Sequence, residues 1–254
     1  MSQISEAVLA LDLTAVDMAR TQGAAAIPEL RQFLSHDDAT VRVVATTALG
    51  EIPHADAYQA LLQAAQDADD SVAVTAVDQL IKHKSAMGAA ALLRALESIK
   101  SLPAQRQLVL AIGTIATPQD AESLNSYCAY NQDADIALAC LAALSRLGSA
   151  KAQKDFTRYF VNTRDLEAFE LAEYISQPWL LAPLSQLLGF TDPLQNLGDP
   201  PPGFPNMLRI CDKAVVLIAR ISKAPFSFRT DVHMNYTNDQ LAEAARVAAR
   251  SAGN

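Results

Sequence analysis

The chain has 254 residues, half of them apolar, with 9 Gly, 12 Pro, a single Trp and a net charge of −8. That length suits one large domain or two small ones, and apolar residues that are mostly Ala, Leu and Val favour closely packed helices over a β-rich fold. Residues 1–160 carry 12 Lys/Arg against 18 Asp/Glu and residues 161–254 carry 8 against 10, so no basic stripe exists to displace counterions from a nucleic acid or to hold an anionic membrane.

The first twenty residues, MSQISEAVLALDLTAVDMAR, are acidic where a signal peptide would be basic, and Asp12 and Asp17 interrupt their apolar run. Residues 5–22 are expected as one amphipathic helix closed by Gly23, within an N-terminal cap spanning 1–23. No window holds 18 uninterrupted apolar residues, so no membrane span is expected. Cys128, Cys140 and Cys211 are widely spaced and form no CxxC; they are expected as free thiols in a reducing cytoplasm.

From Val41 the sequence repeats. VRVVATTALGEI at Val41, VAVTAVDQLIKH at Val72, AQRQLVLAIGTI at Ala104 and IALACLAALSRL at Ile136 start at steps of 31, 32 and 32 residues. Three apolar sets then align: Val41, Val72, Ala104 and Ile136; Ala45, Ala76, Leu108 and Cys140; Leu49, Leu80, Ile112 and Leu144. A spacing of four places the three positions of each segment on one helical face. Between these segments, ALLQAAQD (60–67) answers ALLRALES (91–98), and Leu30, Leu61, Leu92, Leu124 and Phe156 fall in register. Each unit thus predicts two antiparallel helices, which bury their apolar faces only by stacking on neighbours. The expected fold is all-α: a right-handed α-solenoid of about six helix pairs, one domain over 1–254, with repeats over 24–161.

The residues DDATVRVVATTALGEI (37–52), with Asp in the turn followed by Val-Arg, Ala and Ala-Leu-Gly, resemble the HEAT-like repeat of the phycobilisome-lyase type. The resemblance implies a ladder in which a turn Asp and the Arg join consecutive repeats, here Asp38 and Arg42. The Arg position becomes Ala73, Gln105 and Ala137 in later units, so the ladder is expected to lapse and packing to carry the rigidity. Among activities on HEAT-like scaffolds, deoxyhypusine hydroxylase needs His-Glu pairs, which are absent from this sequence. Alkylpurine-glycosylase relatives need a cationic face. A bilin lyase or cofactor chaperone is the alternative that the resemblance leaves open.

Thr117-Pro118 is expected to start a helix, with Asp120 and Glu122 in its first turn. Beyond Phe160 the register weakens, and 162–254 is expected as an irregular helical cap. DLEAFELAEYI and PWLLAPLSQLLGF suggest a helix pair, 190–205 holds 5 of the 12 prolines, and helices are expected near 207–222 and 238–251, the second with a Thr237/Gln240 capping box. The stretch LGDPPPGFPN (197–206) reads as a proline connector or as a rigid arm anchored by Phe204.

No dinucleotide, phosphate-loop, nucleophile-elbow or zinc-protease motif is present, and Asp231-x-His233 is a close acid–imidazole pair in a segment expected as irregular. No catalytic, cofactor-binding or metal-ligating residue is assigned. The expected function is a cytoplasmic, non-catalytic scaffold or adaptor that binds another protein on its concave helical face, with a small molecule disfavoured. The row Thr46, Val77, Val109 and Leu141 either widens the core stripe or offers an apolar strip. Acidic turn residues, Asp70 among them, either solvate one edge or steer a basic partner, which is the reading as an acidic inhibitor or immunity-type protein. Trp179 and Phe204 are the remaining contact candidates.

Overall fold

The computed structural model describes residues 1–232 and 234–252. The chain divides into two compact units, Met1–Leu147 and Gly148–Asn254.

Unit 1 is a HEAT-like stack of helix pairs. The pairs are α1 (Gln3–Leu9) with α2 (Thr14–Gln22), α3 (Ile27–Gln32) with α4 (Ala39–Leu49) and α5 (Ala55–Ala64) with α6 (Asp70–Lys82). The one-turn helix α7 (Lys84–Met87) precedes α8 (Ala89–Leu96) with α9 (Leu102–Ile115), and α10 (Ala121–Tyr130) with α11 (Ala134–Arg146) completes the unit. The second helices form a continuous layer, α2 on α4, α4 on α6, α6 on α9 and α9 on α11. All three aligned apolar sets are buried, as is the series Leu30, Leu61, Leu92 and Leu124. The periodicity therefore marked the core.

The second helices α4, α6, α9 and α11 start on side-chain caps that recur in register: Asp38, Asp69, Ser101 and Asp133 accept from backbone amides of their own first turns. Thr40 holds the Asp38 carboxyl below its usual range, and the hydroxyl and amide of Ser71 do so for Asp69. Much of the acidic edge is thus committed to helix starts. At the other ends of the second helices, Glu51 lies between Arg20 (3.0 Å) and Lys82 (3.3 Å), an ion triad whose members are each 31 residues apart.

The segment expected as one N-terminal helix is two. Leu11 adopts φ 56°, the amide of Leu11 donates to Val8 O and that of Asp12 to Ala7 O, and the Asp12 carboxylate accepts from Thr14 N at 2.9 Å. This closes α1 in the Schellman pattern and starts α2 within four residues, a role usually given to glycine. Likewise α10 begins at Ala121 rather than Pro118, because the Asp120 carboxylate is taken by the amide and hydroxyl of Thr117, both at 2.8 Å.

Unit 2 contains α12 (Ala150–Thr163), α13 (Leu166–Ile175), α14 (Leu181–Leu187), α15 (Ile210–Ser222) and α16 (Asn238–Ala252). An aromatic cluster of Phe156, Phe160 and Phe169 lies at its core. The expected capping box is present: Thr237 N donates to Gln240 Oε1 at 2.9 Å, and Gln240 N to Thr237 Oγ1 at 3.4 Å. The start of the helix expected over 207–222 is instead strand β2 (Met207–Arg209), paired antiparallel with β1 (Pro193–Asn196). LGDPPPGFPN is therefore the loop of a β-hairpin, closed by Leu197 N on Asn206 O at 2.8 Å. Prolines that cannot donate to a ladder fall in the loop and leave both short strands pairable.

Residues 225–232 and 234–236, between α15 and α16, form no regular element and are anchored by side-chain hydrogen bonds. Asp212 on α15 is fully buried, takes two 2.7 Å hydrogen bonds from Arg209 and accepts from Tyr236 N at 3.1 Å. Arg209 also donates to Tyr236 O, while the Tyr236 hydroxyl bonds the carbonyls of Arg229 and Val232. Burial pushes the Tyr236 phenol up to about 12.

Two substitutions test these packing claims. A Cβ on Gly50 would lie 2.1 Å from the side chain of Gln79, itself buried on α6, so Gly50→Ala should cost about 1–3 kcal/mol by overpacking, read as a lower urea midpoint. Asp212→Ala strands Arg209 and the Tyr236 amide, and should cost about 3–5 kcal/mol while making the 225–236 segment a preferred site of limited proteolysis.

Candidate functional site

The row proposed for partner contact lies mostly inside the fold. Thr46, Val77 and Val109 have no exposed surface, and only Leu141 is half-buried. The layer of second helices packs closely enough to cover the position after the inner small residue, so the row joins the core stripe. The Thr46 hydroxyl is buried without a hydrogen-bond partner. Asp70 is exposed as the first residue of α6, beside the cap Asp69. In unit 2, Trp179 is half-buried in a turn before α14, edge-on to Phe156 at 6.2 Å. Phe204 is 41% exposed on the hairpin loop. Within unit 1, three of the five candidates are thus buried and do not form an exposed site with Asp70 and Leu141.

What it does assemble is a groove of about 580 Å³ in unit 1, between the end of α8, the start of α9 and the face of α10. Leu96 and Ile99 form its apolar floor, Ser123 and Ser126 line the α10 side, and Tyr127, Tyr130 and Asn131 stand at the end of α10. Tyr130 is 88% exposed and Leu102, at the start of α9, is 48% exposed. No sequence periodicity pointed here, because Ser123, Ser126 and Tyr130 lie on the exposed side of α10, outside the aligned core positions.

A polar rung forms the groove's inner wall, and comparison with an earlier repeat explains it. The Arg42 guanidinium donates to the carbonyl of His36 (2.8 Å) and reaches the next turn, where it grips both oxygens of Asp67 at 2.8 and 2.9 Å. The acceptor is Asp67 rather than the Asp38 that the ladder expectation named, since Asp38 is occupied as a helix cap. Asp67 Oδ1 also accepts from Asp69 N. Two repeats on, Gln105 occupies the Arg42 position. Its amide donates to the carbonyl of Ile99 (2.7 Å), again six residues back, and its Oε1 accepts from Asn131 Nδ2 at 3.2 Å. Asn131 Oδ1 in turn accepts from Asp133 N. The ladder has not lapsed at Gln105; it has become a neutral amide rung. A neutral rung leaves a free acceptor direction, which the Tyr127 hydroxyl fills at 2.7 Å. Burial raises the Tyr127 phenol above its usual range. At Ala73 no side chain can form a rung, so that interval relies on packing.

Cys128 of α10 and Cys140 of α11 are joined in a disulfide, with Cα atoms 5.8 Å apart, correcting the expectation of free thiols. The antiparallel turn at 131–133 brings together two positions that look remote at a separation of 12. With it goes the thiol-based ground for a reducing compartment. Cys211 is free and buried, and burial raises its thiol.

The titratable groups in the groove's lining are the carboxylate of Glu97 and the phenols of Tyr127 and Tyr130. His36 and His54 accept from the amides of Asp38 and Asp56 at the starts of α4 and α5, and His83 donates to Gly50 O at 2.7 Å. His233 lies outside the described residues. Among the described residues, no three His, Cys, Asp or Glu side chains gather as a metal site, and no helix is long and apolar enough to cross a membrane.

Residues 6–80 match the family model for HEAT repeats, spanning most of the first three helix pairs. No curated protein matches the chain. HEAT repeats are common protein-interaction scaffolds, and the match supports a HEAT-like repeat protein.

Gln105→Ala should cost about 1–3 kcal/mol, because it leaves the Tyr127 hydroxyl and the Asn131 amide without their shared acceptor. In a double-mutant cycle with Tyr127→Phe, measured by urea unfolding, the losses should be less than additive.

Proposed function

We propose that this chain is a non-catalytic interaction scaffold whose partner, another protein, docks on the groove bordered by α10. The observation that carries this reading is Tyr130, a large aromatic side chain left 88% exposed beside a groove with an apolar floor and a polar wall. Tyrosine offers wide, rigid contact area at low entropic cost and is enriched at binding hot spots. The exposed Leu102 adds apolar surface at the start of α9. Serine hydroxyls on α10 supply hydrogen-bonding groups around the anchor, the mixture that specific interfaces use.

Binding is favoured over chemistry because the groove's lining contains no His, Cys or Lys and a single carboxylate, Glu97. The groove is favoured over the second-helix row because Thr46, Val77 and Val109 have no free surface. A helix-repeat array also presents a continuous surface on which a partner can make many modest contacts.

The full chain used as bait in native lysate should retain a protein in stoichiometric amount, and Tyr130→Ala should weaken that complex about tenfold or more without moving the unfolding midpoint. Turnover of a small molecule with no protein retained would contradict the scaffold reading. Unaltered affinity of the Tyr130→Ala chain would remove the partner from the groove.

A further inference from the structure

We infer that the Cys128–Cys140 disulfide is a redox modification site that decides whether α10 is held on the stack. Apart from the hydrogen bonds of Tyr127 and Asn131 to Gln105, little secures helix α10. Leu124 is its only buried residue, whereas α5 buries Ala57, Ala60, Leu61 and Ala64, and α8 buries Ala89, Leu92 and Leu96. Its N-cap residue, Asp120, makes no side-chain bond to the first turn, because Thr117 has taken that carboxylate. Asn131, at the other end, spends its side chain on Gln105, Tyr127 and Asp133. A helix of 10 residues with one buried apolar anchor does not hold itself in place. The covalent bond from Cys128 to Cys140 supplies what packing does not.

The two sulfurs differ in access, which sets the chemistry of release. Cys140 is 3% exposed within the core stripe, whereas Cys128 is half-buried on α10. A dithiol reductant therefore attacks Cys128 Sγ through its thiolate. A bond forms between that sulfur and Cys128, the Cys128–Cys140 bond breaks, and Cys140 leaves with the electron pair and takes up a proton. The second thiol of the reductant then attacks its own sulfur in the mixed disulfide and frees Cys128, which is protonated in turn. Two electrons and two protons pass to the protein, and the dithiol becomes a disulfide. Reduction leaves α10 held by Leu124 and by the hydrogen bonds of Tyr127 and Asn131 to Gln105, so it detaches locally while α9 and α11 keep their mutual packing. The α10 wall of the groove, with Ser123, Ser126 and Tyr130, goes with it. This inference concerns the order of α10 and does not require that the groove bind a partner.

The test is amide hydrogen exchange, resolved by peptide, on the full chain oxidised with glutathione disulfide, then reduced with dithiothreitol, then reoxidised. Peptide mapping of the oxidised chain should recover the Cys128–Cys140 link, with Cys211 alkylated only after denaturation. On reduction, exchange over 121–130 should accelerate on the order of a hundredfold, the factor expected for opening a short disulfide loop, and reoxidation should reverse it. Cys128→Ser should match the reduced chain; should it fail to fold, the wild-type cycle decides alone. Free Cys128 and Cys140 thiols after oxidation would overturn the inference. So would unchanged exchange in α10 on reduction, or equal loss of protection in α9 and α11, which would make the bond a global staple.

Discussion

Unit 1 depends on how closely its second helices approach one another. Ala45 and Ala76 stand at the middle of α4 and α6, and Gly50 ends α4 where even a methyl group would meet the Gln79 side chain. Small residues let the i±4 ridges interlock at short interaxial distance, and a close-packed layer has no room to shift register. The same closeness buries Thr46, Val77 and Val109. Those three side chains therefore offer no surface for a partner to touch.

Polar contacts follow from that spacing. Once α4, α6, α9 and α11 sit at a fixed step, a side chain early in one helix can reach the turn before the next. Arg42–Asp67 does so with charge and Gln105–Asn131 with an amide pair. In both, the turn residue also caps the local backbone, so each contact fixes the repeat interval and the turn conformation together. The ion pair lies largely out of solvent, which makes its loss costly, although an apolar replacement of both partners need not be. The amide version avoids desolvating a charge and opens an acceptor direction for Tyr127, which orders one wall of the groove. Structure and candidate function thus share one residue, Gln105.

The fold was legible in the sequence because helical periodicity reports burial directly. Every aligned position from Val41 to Leu144 is buried, and the Thr237/Gln240 box appeared where local capping rules placed it. The misses share a physical cause. The break at Leu11 uses a left-handed non-glycine residue, which residue preference disfavours. The short β1–β2 pairing depends on contact across a ten-residue loop with no alternating pattern to announce it. Gln105–Asn131 and Cys128–Cys140 join a helix to a neighbouring turn or helix, and a linear reading aligns equivalent positions without showing which of them touch. The groove was invisible for the same reason: Tyr130 belongs to the outward side of α10, where no core periodicity constrains the residue.

The proposed contact surface is the groove bordered by α10, which does not include the buried row of Thr46, Val77 and Val109. The most direct measurement is a hydrogen-exchange footprint of the whole chain, oxidised throughout, with and without its captured partner. Added protection centred on the peptides covering 96–105 and 121–131, with the second helices α4 and α6 unchanged, is the predicted result. Protection confined to the α4 and α6 peptides, or to unit 2, would contradict it.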